Sequence, residues 1–295
     1  MQISMHDVYD KTGKVKDEMT VNFTGHKFLI ALLPNLQLLN QHLHSKTDVS
    51  IHEEAKQGLY FSFIGTGAIN TVEDIQSVEI AYQPKNISGH FSMVTGEERS
   101  LLQVRISPDH LANVLGETEE QIIQHFRLMG EKLNNGNGVI QLPFTKKAAE
   151  ISKPVLLHKG HSISLAGHVY ALIFTVIEQL QMLSHLSHCE DCQSKLFNAQ
   201  NLIEVMQHEA LNISDIAQRV GLNTEALSIG FHLIVGQSIE RYWTRSRIKF
   251  AADRLRQDPT AKSHIVAQSG FSNDQFEAAF IQHFGVSSHQ YGQIH

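Results

Sequence analysis

Two short amphipathic helices separated by a glycine turn form a pattern in the last hundred residues that strongly limits how this part of the chain can fold. Asn212 or Ser214 can cap a helix that runs to Val220, because short polar side chains accept hydrogen bonds from the first free amides of a helix. Gly221 then starts a tight turn, for which glycine has the freest backbone. A second helix is predicted over 224–234.

The same pattern recurs downstream, after a long helix predicted over 239–257 and ended by Pro259. Gly270-Phe271 supplies the second turn, and the following helix is predicted over 273–284. A turn between two packed helices, with the second exposed, is typical of a helix-turn-helix that reads the DNA major groove. The sequence therefore predicts two such units joined by one helix.

Residues 196–295 resemble the DNA-binding domain of the AraC/XylS family of transcription regulators. The resemblance implies a regulator that binds double-stranded promoter DNA, has RNA polymerase as a partner and is controlled by a small-molecule effector. It leaves activation and repression open. The matching residues are Ile216, Ala217, Gly221, Leu227, Phe231, Gly236, Ser238, Arg247, Ala251, Gly270, Phe271, Phe276, Phe280, Phe284, Gly285 and Ser287.

The chain departs from the family pattern in its binding surface. Ser288 and Gly292 stand where the family usually has proline and arginine, and the second turn is one residue short. Residues 196–295 carry eight Lys and Arg against nine Asp and Glu, so we expect few phosphate contacts and modest non-specific affinity. Arg247 is expected either to face the core or to pair with an acidic side chain. The predicted DNA-contacting residues are Thr224, Glu225, Ser228, His232, Arg241, Arg245, Asn273, Asp274 and Gln275.

The amino-terminal part has the short apolar runs and turn residues of an antiparallel β-sandwich or barrel. In the family, this position commonly holds a cupin-like β-barrel that binds the effector. The predicted strands are Thr20–Phe23, Phe28–Leu33, Leu59–Ile64, Val78–Tyr82, Phe91–Val94 and Leu101–Ile106.

Helical patterns begin at Ser107-Pro108, and 133–143 is predicted to be a flexible connection. The prediction is an α+β protein with an effector domain at 1–106, a helical linker and dimerisation region at 107–195 and a tandem helix-turn-helix domain at 196–295. An apolar stripe over 162–186 either packs on the chain's own barrel or forms the seam of a homodimer.

Composition excludes several other classes. The net charge is −6, the two cysteines make no disulfide framework, and there is neither a secretory signal nor an apolar run of about 18 residues. We therefore expect a cytoplasmic protein without a membrane partner.

Two histidine-containing segments are candidates for metal binding. His42 and His44 have the spacing of half a cupin metal motif, but no close glutamate follows, which favours a polar loop. His185, His188, Cys189 and Cys192 would share one face if the long helix continued, where they could bind zinc or respond to oxidants. Cysteine is also a common buried apolar residue. We assign no metal, cofactor or catalytic residue.

The prediction is a sequence-specific DNA-binding regulator rather than an enzyme. The effector is open between a ferric siderophore, suggested by a resemblance of 222–231 and 59–65 to pyochelin-type regulators, and a fatty acid or sugar derivative. The acidic recognition helices motivate an alternative, a protein-interaction regulator of the same fold with weakened or lost DNA binding.

Overall fold

The computed structural model describes residues 2–133, 138–157, 163–206 and 211–294. The chain divides into two compact units, Met1–Ser184 and His185–His295, called here the first and second unit. All strands of the described residues lie in the first unit, and the second is helical. The predicted α+β class is confirmed.

In the described part of the first unit, nine strands form two sheets. The smaller has the order β1 (Gln2–Ser4), β4 (Val49–Ala55), β7 (Ile87–Met93). The larger has the order β2 (Phe23–Leu33), β3 (Leu36–Ser45), β8 (Glu98–Ile106), β5 (Gly58–Gly65), β6 (Ile75–Gln83), β9 (Val139–Pro143). Both sheets contribute to one apolar cluster, in which Phe23 and Leu43 of the larger meet Val49, Ile51 and Met93 of the smaller.

Five of the six predicted strands are confirmed in β2, β5, β6, β7 and β8, except that Val94 lies one residue beyond the end of β7. The strand predicted over Thr20–Phe23 is wrong except for its last residue, Phe23, where β2 begins. β3 and β4 were missed. β3 alternates buried with partly buried residues, as a half-buried strand does, but its His42 and His44 favoured a loop. The connection predicted over 133–143 is wrong for β9, which pairs with β6; residues 134–137 lie outside the described residues.

Apart from a short helix near the amino terminus, the helices of the first unit follow β8 in sequence, with β9 between the second and third of them. They are α1 (Met5–Val8), α2 (Pro108–Leu115), α3 (Glu119–Leu133), α4 (Lys146–Leu157) and α5 (Ile163–His188), the last extending into the second unit. Among the described helices only α5 is long and apolar enough to span a membrane, a test that soluble core helices also pass.

The apolar stripe of α5 is buried within the chain. The start of α4 is tied to this helix, since Gln179 donates to Thr145 Oγ1 at 2.6 Å and Lys147 pairs with Glu178 at 2.6 Å. Packing within the chain is therefore confirmed for this stripe, and the dimer-seam alternative is wrong for it. Ser162, the predicted first residue, lies outside the described residues.

The second unit contains two small cores that share one long helix. Its helices are α6 (Glu190–Val205), α7 (Ile213–Val220), α8 (Thr224–Val235), α9 (Ile239–Gln257), α10 (Lys262–Ser269), α11 (Asn273–Phe284) and α12 (Ser288–Ile294). Ile239 of α9 packs with Leu227 and Phe231 of α8, whereas Ile248 packs with Phe276 of α11. The predicted bounds of α9 and α11 are confirmed.

Candidate nucleic-acid interface

The first helix-turn-helix consists of α7 and α8. Asn212 accepts from the Asp215 amide at 3.2 Å and so caps α7. Gly221 ends the helix with φ +71°, in the left-handed region that favours glycine. Asn223 caps α8 by accepting from the Ala226 amide at 2.8 Å. Polar side chains fix the position and start of both helices.

The polar face of α8 holds the predicted contacts of the first helix-turn-helix. Thr224, Ser228 and His232 are spaced by four residues and lie on one face. Thr224 is exposed, the other two are half-buried, and the Ser228 hydroxyl donates to the Thr224 carbonyl at 2.9 Å. Glu225 is half-buried in the first turn. Hydroxyl and imidazole groups on such a face can reach base edges.

The second helix-turn-helix consists of α10 and α11. Asn273, Asp274 and Gln275 are all exposed in the first turn of α11. Gln275 also closes a capping box, in which its amide oxygen accepts from the Ser272 backbone N–H at 3.2 Å. The turn that is one residue short in sequence therefore ends in a complete cap. The side-chain carbonyl oxygen of Gln275 is therefore already hydrogen-bonded at the start of α11.

The long helix α9 carries three exposed cations at the same spacing. Arg241, Arg245 and Lys249 lie one above another, and none has an ion pair among the residues the structure describes. Burial lowers the pKa of His232 on α8, and Arg241 lowers it further. Burial likewise lowers the pKa of His283 on α11, with smaller effects of Arg245 and Lys249. We call these three cations the α9 basic row; it lies beside both recognition helices.

The sequence places Lys249 among the cations available to phosphate and His283 on the second predicted recognition helix, but neither was among the predicted DNA-contacting residues. The four-residue step from Arg245 in the predicted helix was a signal for Lys249. His283 had no such signal, because its approach to the basic row depends on the packing of α11 against α9.

Several other cations of the second unit are held by carboxylates, whereas Arg254 of α9 is exposed and lies over the Phe250 ring. Arg219 pairs with Asp215 at 2.9 Å, and Lys262 with Glu277 at 2.6 Å. Arg256 lies 3.8 Å from its carboxylate partner and also donates to the Tyr291 hydroxyl. The cations free for phosphate are therefore concentrated on α9.

Arg247 is buried, one of the two outcomes expected from the sequence, and fills the space between the two cores. Its guanidinium carbon lies 4.0 Å from the Trp243 ring centroid and 4.3 Å from that of Phe271. Burial lowers its pKa. A Cβ at Gly270, whose φ is +65°, would lie 2.3 Å from an Arg247 nitrogen. The arginine that matches the family signature thus packs α9 against the second turn.

Glu277 on α11 is half-buried and ties this helix to α10 and α12. Besides the Lys262 ion pair it accepts the Ser288 amide at 3.1 Å and the Ser288 hydroxyl. Burial raises the pKa of Glu277, but the stronger combined effect of Lys262 and Ser288 lowers it. Ser288 stands where the family usually has proline, and proline has no N–H to donate. The departure therefore has a structural role in this chain.

A cavity of about 780 Å³ in the first unit is a candidate ligand site, within the usual range for small-molecule pockets. Four cations and two carboxylates line it with glutamine amides and leucines. Glu53 lies 4.0 Å from Lys27 and 3.6 Å from Arg99. Burial lowers the pKa of Lys27, and Glu53 partly opposes this. Two of the cations therefore share one carboxylate at the cavity wall. A second, mainly apolar cavity beside Phe126 and Ile140 has about 200 Å³.

His42 and His44 lie on β3 rather than in the predicted polar loop, which was wrong. His42 Nδ1 is 2.7 Å from Ser100 Oγ, and His44 Nδ1 is 3.3 Å from a Glu98 oxygen. His90 lies on the other sheet, 4.7 Å from the His52 ring. The structure does not bring these three histidines together.

The cluster at 185–192 differs from the predicted single helical face. α5 ends at His188 and α6 begins at Glu190, with Cys189 between them. Cys189 and Cys192 form a disulfide, with Cα atoms 5.2 Å apart. His185 Nε2 lies 3.8 Å from Cys192 Sγ, while His188 Nδ1 is 2.9 Å from Ser187 Oγ. The continuous helix is wrong, and three of the four donors come together.

The fold and these surfaces define a two-unit α+β protein with a cavity-bearing β unit and a tandem helix-turn-helix unit. No family model matches the chain, and no curated protein matches it. Among solved structures, a regulator from Chromobacterium violaceum described by AraC-type DNA-binding domains is 27% identical, over 34% of this chain and 91% of that one, with a TM-score of 0.33. The C-terminal domain of AraT, a response regulator from Geobacillus stearothermophilus, is 22% identical over 34% of this chain and 85% of that one, also at 0.33.

A third match extends over both units. ToxT from Vibrio cholerae, solved with an unsaturated fatty acid bound, is 12% identical over 92% of this chain and 91% of that one, with a TM-score of 0.30. TM-scores of this size are too low to carry an argument about overall shape. The AraC-type description agrees with the family that the sequence resembles.

Proposed function

We propose that this protein is a cytoplasmic transcription regulator of the AraC/XylS type and not an enzyme. The observation that carries the proposal is the α9 basic row beside two capped recognition helices. Three unpaired cations along one helix face match the repeating phosphates of a DNA strand better than they match a small ligand. In this proposal α8 and α11 enter successive major-groove segments of promoter DNA.

Base reading in the proposal differs between the two recognition helices. On α8, Thr224 and Ser228 offer hydroxyl groups that can pair with any base. On α11, Asn273 suits adenine, whereas exposed Ala278 and Ile281 suit the thymine methyl group. A preference for A·T pairs under α11 follows from this surface, which has neither lysine nor arginine.

Genomic selection tests the proposal. The full-length protein is mixed with sheared DNA of its source organism, and the retained fragments are sequenced. We expect a shared motif, lost in the Arg241→Gln, Arg245→Gln double variant and retained in Arg219→Gln, whose cation is paired. Recovery of no enriched motif by the folded wild type would refute the proposal and favour the protein-interaction alternative.

For the effector we propose a small organic acid bound in the 780 Å³ cavity. Cations exceed carboxylates in the lining, so a ligand carboxylate would gain charge-assisted hydrogen bonds. Lys27 and Arg99 are the candidates to bind the ligand carboxylate, since both already lie within 4.0 Å of the Glu53 carboxylate. Leu39 and Leu101 would contact an apolar part of the ligand. Such a ligand regulates DNA binding only if it binds the two functional states with different affinity.

Calorimetric titration with fatty acids, sugar acids and ferric siderophores tests this second step. We expect at least one acid to bind. Its affinity should fall tenfold or more in Arg99→Gln, because a hydrogen bond to a charged group contributes about 1.5–3 kcal/mol. The same variant would leave Glu53 with Lys27 as its ion-pair partner. Lys85→Gln, outside the cavity lining, should leave affinity unchanged. Preference for neutral compounds would contradict the proposed ligand class.

The remaining assignments come from the resemblance. We assign effector sensing to 1–106, linkage and homodimer contact to 107–195, and DNA binding to 196–295, with RNA polymerase as a further partner. Since the α5 stripe is buried within the chain, the dimer contact must use another surface. Analytical ultracentrifugation of the full chain checks this: a monomer at all concentrations tested would refute the dimer.

A further inference from the structure

Three potential metal ligands, one imidazole nitrogen and two sulfur atoms, lie close together where α5 ends and α6 begins. The Nε2 of His185 and the Sγ atoms of Cys189 and Cys192 all lie within 4.8 Å of one another. His185 is exposed, Cys189 is half-buried and Cys192 lies deepest, so solvent reaches the group from the His185 side. The break in the helix at Cys189 allows this convergence, because four donors along one straight helix could not surround an ion.

We propose that His185, Cys189 and Cys192 bind Zn²⁺ when the cysteines are reduced, and that the disulfide seen in the structure is the alternative, metal-free state of the same site. Zn–S bonds of about 2.3 Å and Zn–N bonds of about 2.0 Å place tetrahedral donors roughly 3.5–3.8 Å apart. The 3.8 Å between His185 Nε2 and Cys192 Sγ is within about 0.3 Å of the nitrogen–sulfur value in this range. A water molecule takes the fourth position.

The exchange between the two states is a two-electron step. Hydrogen peroxide oxidises the two zinc-bound thiolates; the S–S bond forms, the O–O bond breaks, and two protons complete two water molecules as Zn²⁺ leaves. A thiol or phosphine reductant returns the two electrons and regenerates the thiolates. In the disulfide the Cys192 amide donates to Cys189 Sγ at 3.2 Å. The same N–H would stabilise a Cys189 thiolate, the form that binds metal.

Two leucines connect this site to the first recognition helix. A Cβ at Gly230 of α8 would lie 2.5 Å from a methyl carbon of Leu196 and 3.1 Å from one of Leu186. Leu186 precedes Cys189 by three residues, and Leu196 follows Cys192 by four. A change in how Cys189 and Cys192 are held therefore moves the two side chains on which α8 rests. This coupling, unlike the metal site itself, rests on the proposed DNA-binding function.

Zinc stoichiometry in the full-length protein tests the site without reference to DNA. Phosphine-reduced protein is loaded with Zn²⁺, desalted and analysed for metal and free thiols. We expect about one zinc ion per chain above the level of Cys192→Ser, at least tenfold weaker binding in His185→Gln, and no change in His188→Gln. Peroxide should release the zinc as both thiols disappear. Circular dichroism establishes that each variant is folded.

Several results would overturn the proposal. These are no zinc in the reduced wild type beyond the level of Cys192→Ser, equal zinc in the disulfide form, or equal loss in His188→Gln. The coupling has its own measurement, the anisotropy of a labelled duplex with zinc-loaded and with disulfide protein. A twofold or larger difference in affinity, absent in Cys192→Ser, supports the coupling, and equal affinities refute it. Failure of both forms to bind any duplex would refute the proposed function and leave the zinc result standing.

Discussion

Replacement of Arg245 by glutamine should lower the salt dependence of DNA binding by a calculable amount. The α9 basic row supplies three unpaired cations per chain. Each phosphate neutralised contributes about −0.9 to the slope of log K against log salt, so three give about −2.7. Raising salt from about 50 to 200 mM should therefore weaken non-specific binding about 40-fold, and about 12-fold in Arg245→Gln.

Fluorescence anisotropy of the full-length protein with a short random-sequence duplex measures both slopes, and a random duplex requires no knowledge of the target. Arg219→Gln is the matched control, because it removes the same charge from an arginine already 2.9 Å from Asp215. Its slope should stay within error of the wild type. The inference fails if the wild-type slope is steeper than about −5 per chain, or if the two variants lose equal slope.

Gly270→Ala should lower the free energy of unfolding by about 2–4 kcal/mol, because the backbone at this position is left-handed and the added Cβ would overlap with the buried Arg247 guanidinium. Gly285→Ala, with φ +75° and no neighbour within 4 Å, should cost only about 1–2 kcal/mol; equal losses in urea unfolding would refute the overlap. Ser288→Pro restores the family residue but should cost about 1.5–3 kcal/mol through loss of the hydrogen bonds to Glu277, and Glu277→Gln should reduce that penalty. His232 has a lowered pKa in the folded state, so the unfolded state binds its proton first and stability falls as pH drops through about 6.5. Thermal unfolding between about pH 8 and pH 5.5 should show a smaller fall in His232→Gln, and an identical fall would contradict the assignment.

The helical unit could be predicted closely because its signals are local. Asn212, Gly221 and Ser272 cap or end helices through contacts within a few residues, so sequence spacing contains the information. The bounds of α9 and α11 follow from such signals. β3 was missed because its buried face emerges only when β2 and β8 pair with it. Strand pairing is a long-range property that no short window contains.

The interface itself was only partly predictable. The sequence predicts Arg241 and Arg245 as DNA contacts, but a count of cations does not show which of them forms an ion pair with a carboxylate. Lys262 and Glu277 are 15 positions apart in the sequence and meet only when α10 packs beside α11. The break in the helix at Cys189 was missed because the helical periodicity of the sequence continues past it. The structure has a disulfide between Cys189 and Cys192 at this point, which the order of residues alone does not predict.

The stacking of Arg247 between Trp243 and Phe271 has a consequence for genetics. A residue that wedges two cores together fails by loosening them, so its alleles should be temperature-sensitive and should lower the amount of protein in the cell. Alleles of Arg245, which lies on the surface, should leave abundance normal and weaken promoter response at every temperature. Two arginines, two positions apart on one helix, should thus give different phenotypes in a growth screen.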